Sequence, residues 1–154
     1  MFRVFIADDH DTCRLALKLT VLLVKKYEIV GESSSGRNLV EEILEKDPDV
    51  AIVDLSLPYK NGFEVFQELR RKGCRAKFII WTAHMDAKTV EESIRLGVDG
   101  FLCKGATPDV MATALSDVLA GNQWIDPGVQ TQVVQAVAAG AQQNYDKQPH
   151  AITA

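Results

Sequence analysis

The sequence predicts an α/β domain built on a five-stranded, mostly parallel sheet. Three observations predict it. Five short, apolar, β-branched runs are bounded by turn residues, each run is followed by a segment of helical spacing, and stretches such as "VAIV" and "FIIW" are continuously apolar. Continuous runs suit strands buried on both faces, and the alternation implies βαβ units whose right-handed crossovers cover both sides of the sheet.

The elements follow in order. "FRVFIA" (2–7) leads to a helix over 12–26, "YEIVGES" (27–33) to one over 37–46, and "DVAIVDL" (49–55) to one over 63–72. "KFIIWTA" (77–83) leads to 86–96, and "DGFLCK" (99–104) to 107–120. In the last helix Thr107 is placed to cap, Pro108 takes the first helical position and Gly121 falls just past the end. Residues 122–154 differ in kind: a short helix can follow Pro127, but "AQQNYDKQPHAITA" is polar, rich in glutamine and without a core pattern. The expected organisation is a domain over 1–121 and a linker or tail over 122–154.

With 154 residues and 47% hydrophobic content, the chain can build one core of ordinary domain size. A net charge of -4 argues against nucleic acid or an anionic membrane surface as a direct partner of this chain. Apolar runs such as "TVLLV" are too short to span a bilayer. Cys13, Cys74 and Cys103 are dispersed, odd in number and free of metal spacing, which fits a reducing, cytoplasmic setting.

Sites in open parallel sheets form beyond the carboxyl ends of the strands. Those ends carry Asp8 and Asp9, Ser33 to Ser35, Asp54, Thr82 and Lys104. Taken alone, Asp8 and Asp9 are equally well read as acids favoured by a helix N-terminus, as Asp11 is. Together with Asp54 they make a hard, oxygen-rich site suited to Mg²⁺. Asp54 is the natural nucleophile for phosphoryl transfer, since a carboxylate can form an acyl phosphate, while Lys104 and Thr82 supply a cation and a hydroxyl for its oxygens. His10 and His84 read as exposed modulators of access, Trp81 as core, and Cys103 as a small buried strand residue.

"ADDH" (7–10), "VDLSLPYKNG" (53–62), "WTA" (81–83) and "DGFLCK" (99–104) together resemble the receiver domain of two-component response regulators, over about residues 2–121. "DDH", "DLSLP" and "AGNQWIDPGV" are most similar to the NarL/FixJ subfamily. The resemblance implies a flavodoxin-like fold of strand order 2-1-3-4-5, with Asp54 as phosphoacceptor for a sensor histidine kinase. It implies Asp9 as a direct Mg²⁺ ligand, Asp8 as a partner acting partly through water, and the backbone carbonyl of Ser56 as a further ligand. Thr82 and Phe101 would form a switch pair, Lys104 would hold the phosphoryl group, Ala83 would leave it accessible, and Pro58 and Gly62 would shape the following loop. One departure is Gly105, where many receivers have proline, so that lysine placement relies on a turn glycine permits.

Subfamily members usually carry a LuxR-type helix-turn-helix after the receiver, opening on a motif of the form "LTxRE", and "AITA" resembles its start. The expectation is transcription control through a DNA-binding domain beyond this chain; the alternative is a stand-alone receiver acting through protein contacts. No enzymatic activity is expected beyond self-phosphorylation and self-dephosphorylation. A Mg²⁺-dependent phosphohydrolase similar to the haloacid dehalogenase group would need a second aspartate two residues after the nucleophile, where Ser56 stands. The apolar residues of 107–120, with Leu15, Leu19, Leu22 and Leu23, exceed one helical face and leave room for a homodimer contact beside core packing.

Overall fold

The computed structural model describes residues 1–83 and 86–128. Within them the strands and helices alternate as β1 (Phe2–Ala7), α1 (Asp11–Leu23), β2 (Tyr27–Ser33), α2 (Leu39–Lys46), β3 (Val50–Asp54) and α3 (Gly62–Arg71). They continue as β4 (Lys77–Thr82), α4 (Ala87–Leu96), β5 (Gly100–Cys103), α5 (Pro108–Leu119) and β6 (Trp124–Ile125). The strands pair in parallel in the order β2-β1-β3-β4-β5-β6.

Strand periodicity divides the core. Ala51 and Val53 of β3 face one layer, with Leu39, Val40 and Ile43 of α2, Val65, Phe66 and Leu69 of α3, and Val90 of α4. Val50 and Ile52 face the other, with Leu17 and Val21 of α1 and Met111, Ala114, Leu115 and Val118 of α5. Every residue of β3 is buried, as a strand covered on both faces must be. The helix ends follow their local chemistry: Asn61 and Glu64 form a reciprocal capping box on α3, and the Thr107 side chain accepts the Val110 N–H ahead of Pro108.

The sixth strand is the main addition to the sequence reading, which placed its residues in the linker. Trp124 and Ile125 pair with Gly100 and Phe101. Asp126 then fixes the turn: its N–H donates to Phe101 O at 2.9 Å, Oδ2 accepts the Cys103 N–H at 3.1 Å, and Oδ1 accepts the Gly128 N–H at 2.8 Å. A two-residue strand has no periodicity to read, so only the tertiary ladder reveals it. His84, the helix expected after Pro127 and the "AITA" end lie outside the described residues.

Candidate phosphoacceptor site

The strand order sets β1 beside β3, and β3 beside β4, so that four chemically loaded strand ends open on one rim. Asp8 follows β1, its N–H donating to Ser33 O at 3.0 Å across the neighbouring strand. Asp54 ends β3, Thr82 ends β4, and the Lys104 N–H donates to Thr82 O at 2.8 Å just past β5. Asp8, Asp54 and Thr82 are all buried.

The Lys104 ammonium lies 2.8 Å from Asp8 Oδ2 and 2.9 Å from Asp54 Oδ2. One cation thus bridges two carboxylates that would otherwise repel in a dry setting. The other Asp54 oxygen accepts the Ser56 N–H at 3.0 Å. Burial, with the Asp8 charge adding to it, outweighs the Ser56 amide and Lys104 and holds the Asp54 carboxyl above its ordinary range. Burial alone would lower the Lys104 ammonium, but hydrogen bonds to Asp8 and Asp54 outweigh it and raise it.

Asp9 completes the pocket differently. Its Oδ1 is buried and has no hydrogen-bond partner, although His10 Nδ1 lies 3.1 Å away. An orphaned carboxylate oxygen is costly, and a cation removes the cost. Ligand atoms of Asp8, Asp9, His10 and Asp54 all lie within 4.8 Å of one another. Three carboxylates against one ammonium, with an unpaired oxygen among them, is a donor set that fits a hard divalent cation such as Mg²⁺.

The surrounding loops are held by backbone chemistry. Gly62 donates its N–H to Leu55 O at 2.9 Å, and a Cβ there would stand 2.9 Å from Ile80 Cδ1 and 3.0 Å from Asp54 O, so a side chain would press on the carbonyl of Asp54 and displace the Ile80 methyl. Pro58 O accepts the N–H groups of Gly36 and Lys60. Gly105 has φ +94°, in the left-handed region, as expected of a turn replacing the usual proline after the lysine. Ala83 is exposed beside the rim, and Phe101 is buried against the α4 side of the sheet with Val90 and Val98.

Two contributors escaped the sequence reading. Trp81 is core, but its indole Nε1–H also donates to Asp8 Oδ2 at 3.2 Å. Arg14 donates to the Asp8 carbonyl at 2.8 Å while pairing with Asp11 and Glu32, which braces the turn carrying Asp8 and Asp9. The Asp11 and Arg14 spacing, one helical turn, was the available signal for the second. Asp11 itself opens α1 and stays out of the pocket. Cys103 is half-buried, with burial and then Asp126 raising its thiol, which leaves it a poor nucleophile.

The model of the response regulator receiver domain family matches residues 4–116. The chain belongs to the response regulator receiver family. This receiver is 32% identical over 127 residues to the uncharacterized transcriptional regulatory protein YvfU and to the transcriptional regulatory protein DesR, both of Bacillus subtilis. In each case the match covers 82% of this chain but only 64% and 63% of the relative, so the chain spans under two thirds of their length. The solved receiver domain of the putative response regulator NarL from Mycobacterium tuberculosis superposes with a TM-score of 0.75 at 28% identity, covering 79% of this receiver and 98% of that chain. No helix among the described residues is long and apolar enough to cross a membrane.

Proposed function

We propose that this receiver accepts a phosphoryl group on Asp54 from the phosphohistidine of a sensor kinase, in a Mg²⁺-dependent transfer. An Asp54 oxygen attacks phosphorus, the P–N bond breaks, and the imidazole leaves and is reprotonated from solvent; attack of water on the acyl phosphate later returns the carboxylate and inorganic phosphate. The observation that carries the reading is the 2.9 Å contact between Lys104 and buried Asp54, which holds a cation where charge develops on the transferred group. Asp9, Asp8, Asp54 and the Ser56 carbonyl are the residues that would hold Mg²⁺, which when bound neutralises phosphoryl oxygens and aligns the attack. Thr82 and Phe101 act as the switch pair, Ala83 leaves room for the phosphoryl oxygens, and Pro58 and Gly62 hold the loop beside them. The protein works in the cytoplasm and has no substrate other than its own phosphoryl group.

The output we propose is control of transcription, through a DNA-binding domain joined to this receiver. The names of the curated relatives, which are transcriptional regulatory proteins of greater length, support it. Leu15, Leu19, Leu22 and Leu23 are exposed on α1, an apolar stripe that fits a homodimer contact of the activated form. Incubation with acetyl phosphate and Mg²⁺ followed by intact-mass measurement tests the core of the reading. The expected result is a single phosphoryl adduct, absent without Mg²⁺ and absent in Asp54→Ala. An adduct that survives in Asp54→Ala overturns it.

A further inference from the structure

Asp8 is fully buried and its oxygens receive three donors. Oδ1 accepts the His10 N–H at 2.9 Å, while Oδ2 accepts the Lys104 ammonium at 2.8 Å and the Trp81 indole at 3.2 Å. These donors differ in what they can do when a divalent cation enters. The ammonium sits on a flexible stem, shares its carboxylates with the incoming ion and is repelled by it. The indole carries no formal charge, offers a donor and no acceptor, and is anchored in a ring only 3% exposed. It neither competes for the ion nor departs with the lysine.

Trp81 also belongs to both walls of the pocket. It lies opposite Asp54 in the β3–β4 register, and its carbonyl accepts the Leu55 N–H at 3.2 Å, so its backbone fixes the peptide after the phosphoacceptor. Its side chain meanwhile reaches past β3 to the carboxylate that follows β1.

We propose that Trp81 is a positioning residue for Mg²⁺ binding, its indole N–H holding Asp8 in place and hydrogen-bonded once Lys104 has been displaced. The proposal rests on the Mg²⁺-dependent phosphoacceptor reading and adds a residue to it. Without this donor, Asp8 in the metal-loaded pocket keeps only the His10 N–H to fix its orientation, so the carboxylate must be ordered as the ion binds, which weakens the ion.

The test is calorimetric titration of the 154-residue chain with MgCl₂, for the wild type, Trp81→Phe, Asp8→Ala and the double variant. Phenylalanine keeps a buried ring and removes the N–H. Trp81→Phe is expected to weaken Mg²⁺ binding about tenfold, equivalent to ~1.4 kcal/mol. In the Asp8→Ala background, which leaves the indole no acceptor, the same substitution is expected to cost less than about twofold, because the interaction it removes is already gone. Unchanged Mg²⁺ affinity in Trp81→Phe overturns the proposal, as does an equal tenfold loss in the Asp8→Ala background, the mark of a purely structural effect. No Mg²⁺ binding by the wild type overturns the metal reading itself and the proposal with it. Should Trp81→Phe fail to fold, the wild-type indole N–H resonance decides: a downfield, hydrogen-bonded shift kept at saturating MgCl₂ supports the proposal, and an upfield move to the position of an unbonded indole overturns it.

Discussion

Lys104 donates to Asp54 across 2.9 Å while the same ammonium stands 2.8 Å from Asp8, making one surface-tethered cation the counter-ion of two buried carboxylates. Replacing it leaves uncompensated charge rather than a lost contact. Lys104→Met is expected to destabilise the fold by about 3 kcal/mol in metal-free buffer, within the usual range for breaking a buried pair. Mg²⁺ should restore part of the loss, because it supplies positive charge to the same oxygens. Urea unfolding with and without MgCl₂ measures both.

Asp54 itself carries the opposite sign. Its carboxyl is raised, first by burial and further by Asp8, so the folded protein holds its proton to a higher pH than the unfolded chain does. Ionised Asp54 therefore costs stability at neutral pH, and that cost disappears as pH falls below the unfolded carboxylate range. Asp54→Asn is expected to stabilise the metal-free protein at pH 7, because it removes an ionised group whose burial is unfavourable. The gain should shrink toward zero near the ordinary carboxylate range, which thermal melts from acid to neutral pH will show.

On the exposed face of α1, Leu19 and Leu23 stand one turn apart. If the stripe closes on a second copy, Leu19→Glu with Leu23→Glu should hold the chain monomeric under acetyl phosphate and Mg²⁺, where the wild type associates. The monomer's stability should change by less than about 0.5 kcal/mol, as befits exposed positions. Sedimentation velocity and a thermal melt on the same samples read the two quantities.

Much of this was legible in advance because the chemistry sits at strand ends. A carboxylate closing "VAIVD" or a lysine closing "GFLCK" is conspicuous after an apolar run, and the alternation of elements fixes which ends share a rim. Gly105 was legible too, since only its type tolerates the φ of +94° the turn adopts. Trp81 was not. An aromatic in a buried strand satisfies every rule for core, and where its polar edge points is set by rotamer and packing, which no residue pattern encodes. β6 escaped for the same kind of reason: its two residues are defined by pairing with β5, not by any pattern of their own. The orphaned Asp9 oxygen is likewise a property of the folded turn, which buries one carboxylate oxygen without providing a donor.

Asp126 lies ten residues beyond the last position of the family match, at 116, yet it is buried and fully hydrogen-bonded to β5 and the turn that follows. Asp126→Ala is expected to cost about 2 kcal/mol, as for a charged acceptor removed from a buried amide. Amide hydrogen exchange should accelerate most at Cys103 and Gly128, the two N–H groups it leaves open.

That clasp also has a mechanical meaning. Ile125 lies alongside Phe101, and Asp126 grips the peptide next to Lys104, so the strand that leads to the lysine and the exit of the described chain are stitched into one piece. Any shift of β5 drags the point from which the rest of the polypeptide departs. Gly128 thus stands to the strand that leads to the lysine as a pointer stands to the axle of its dial.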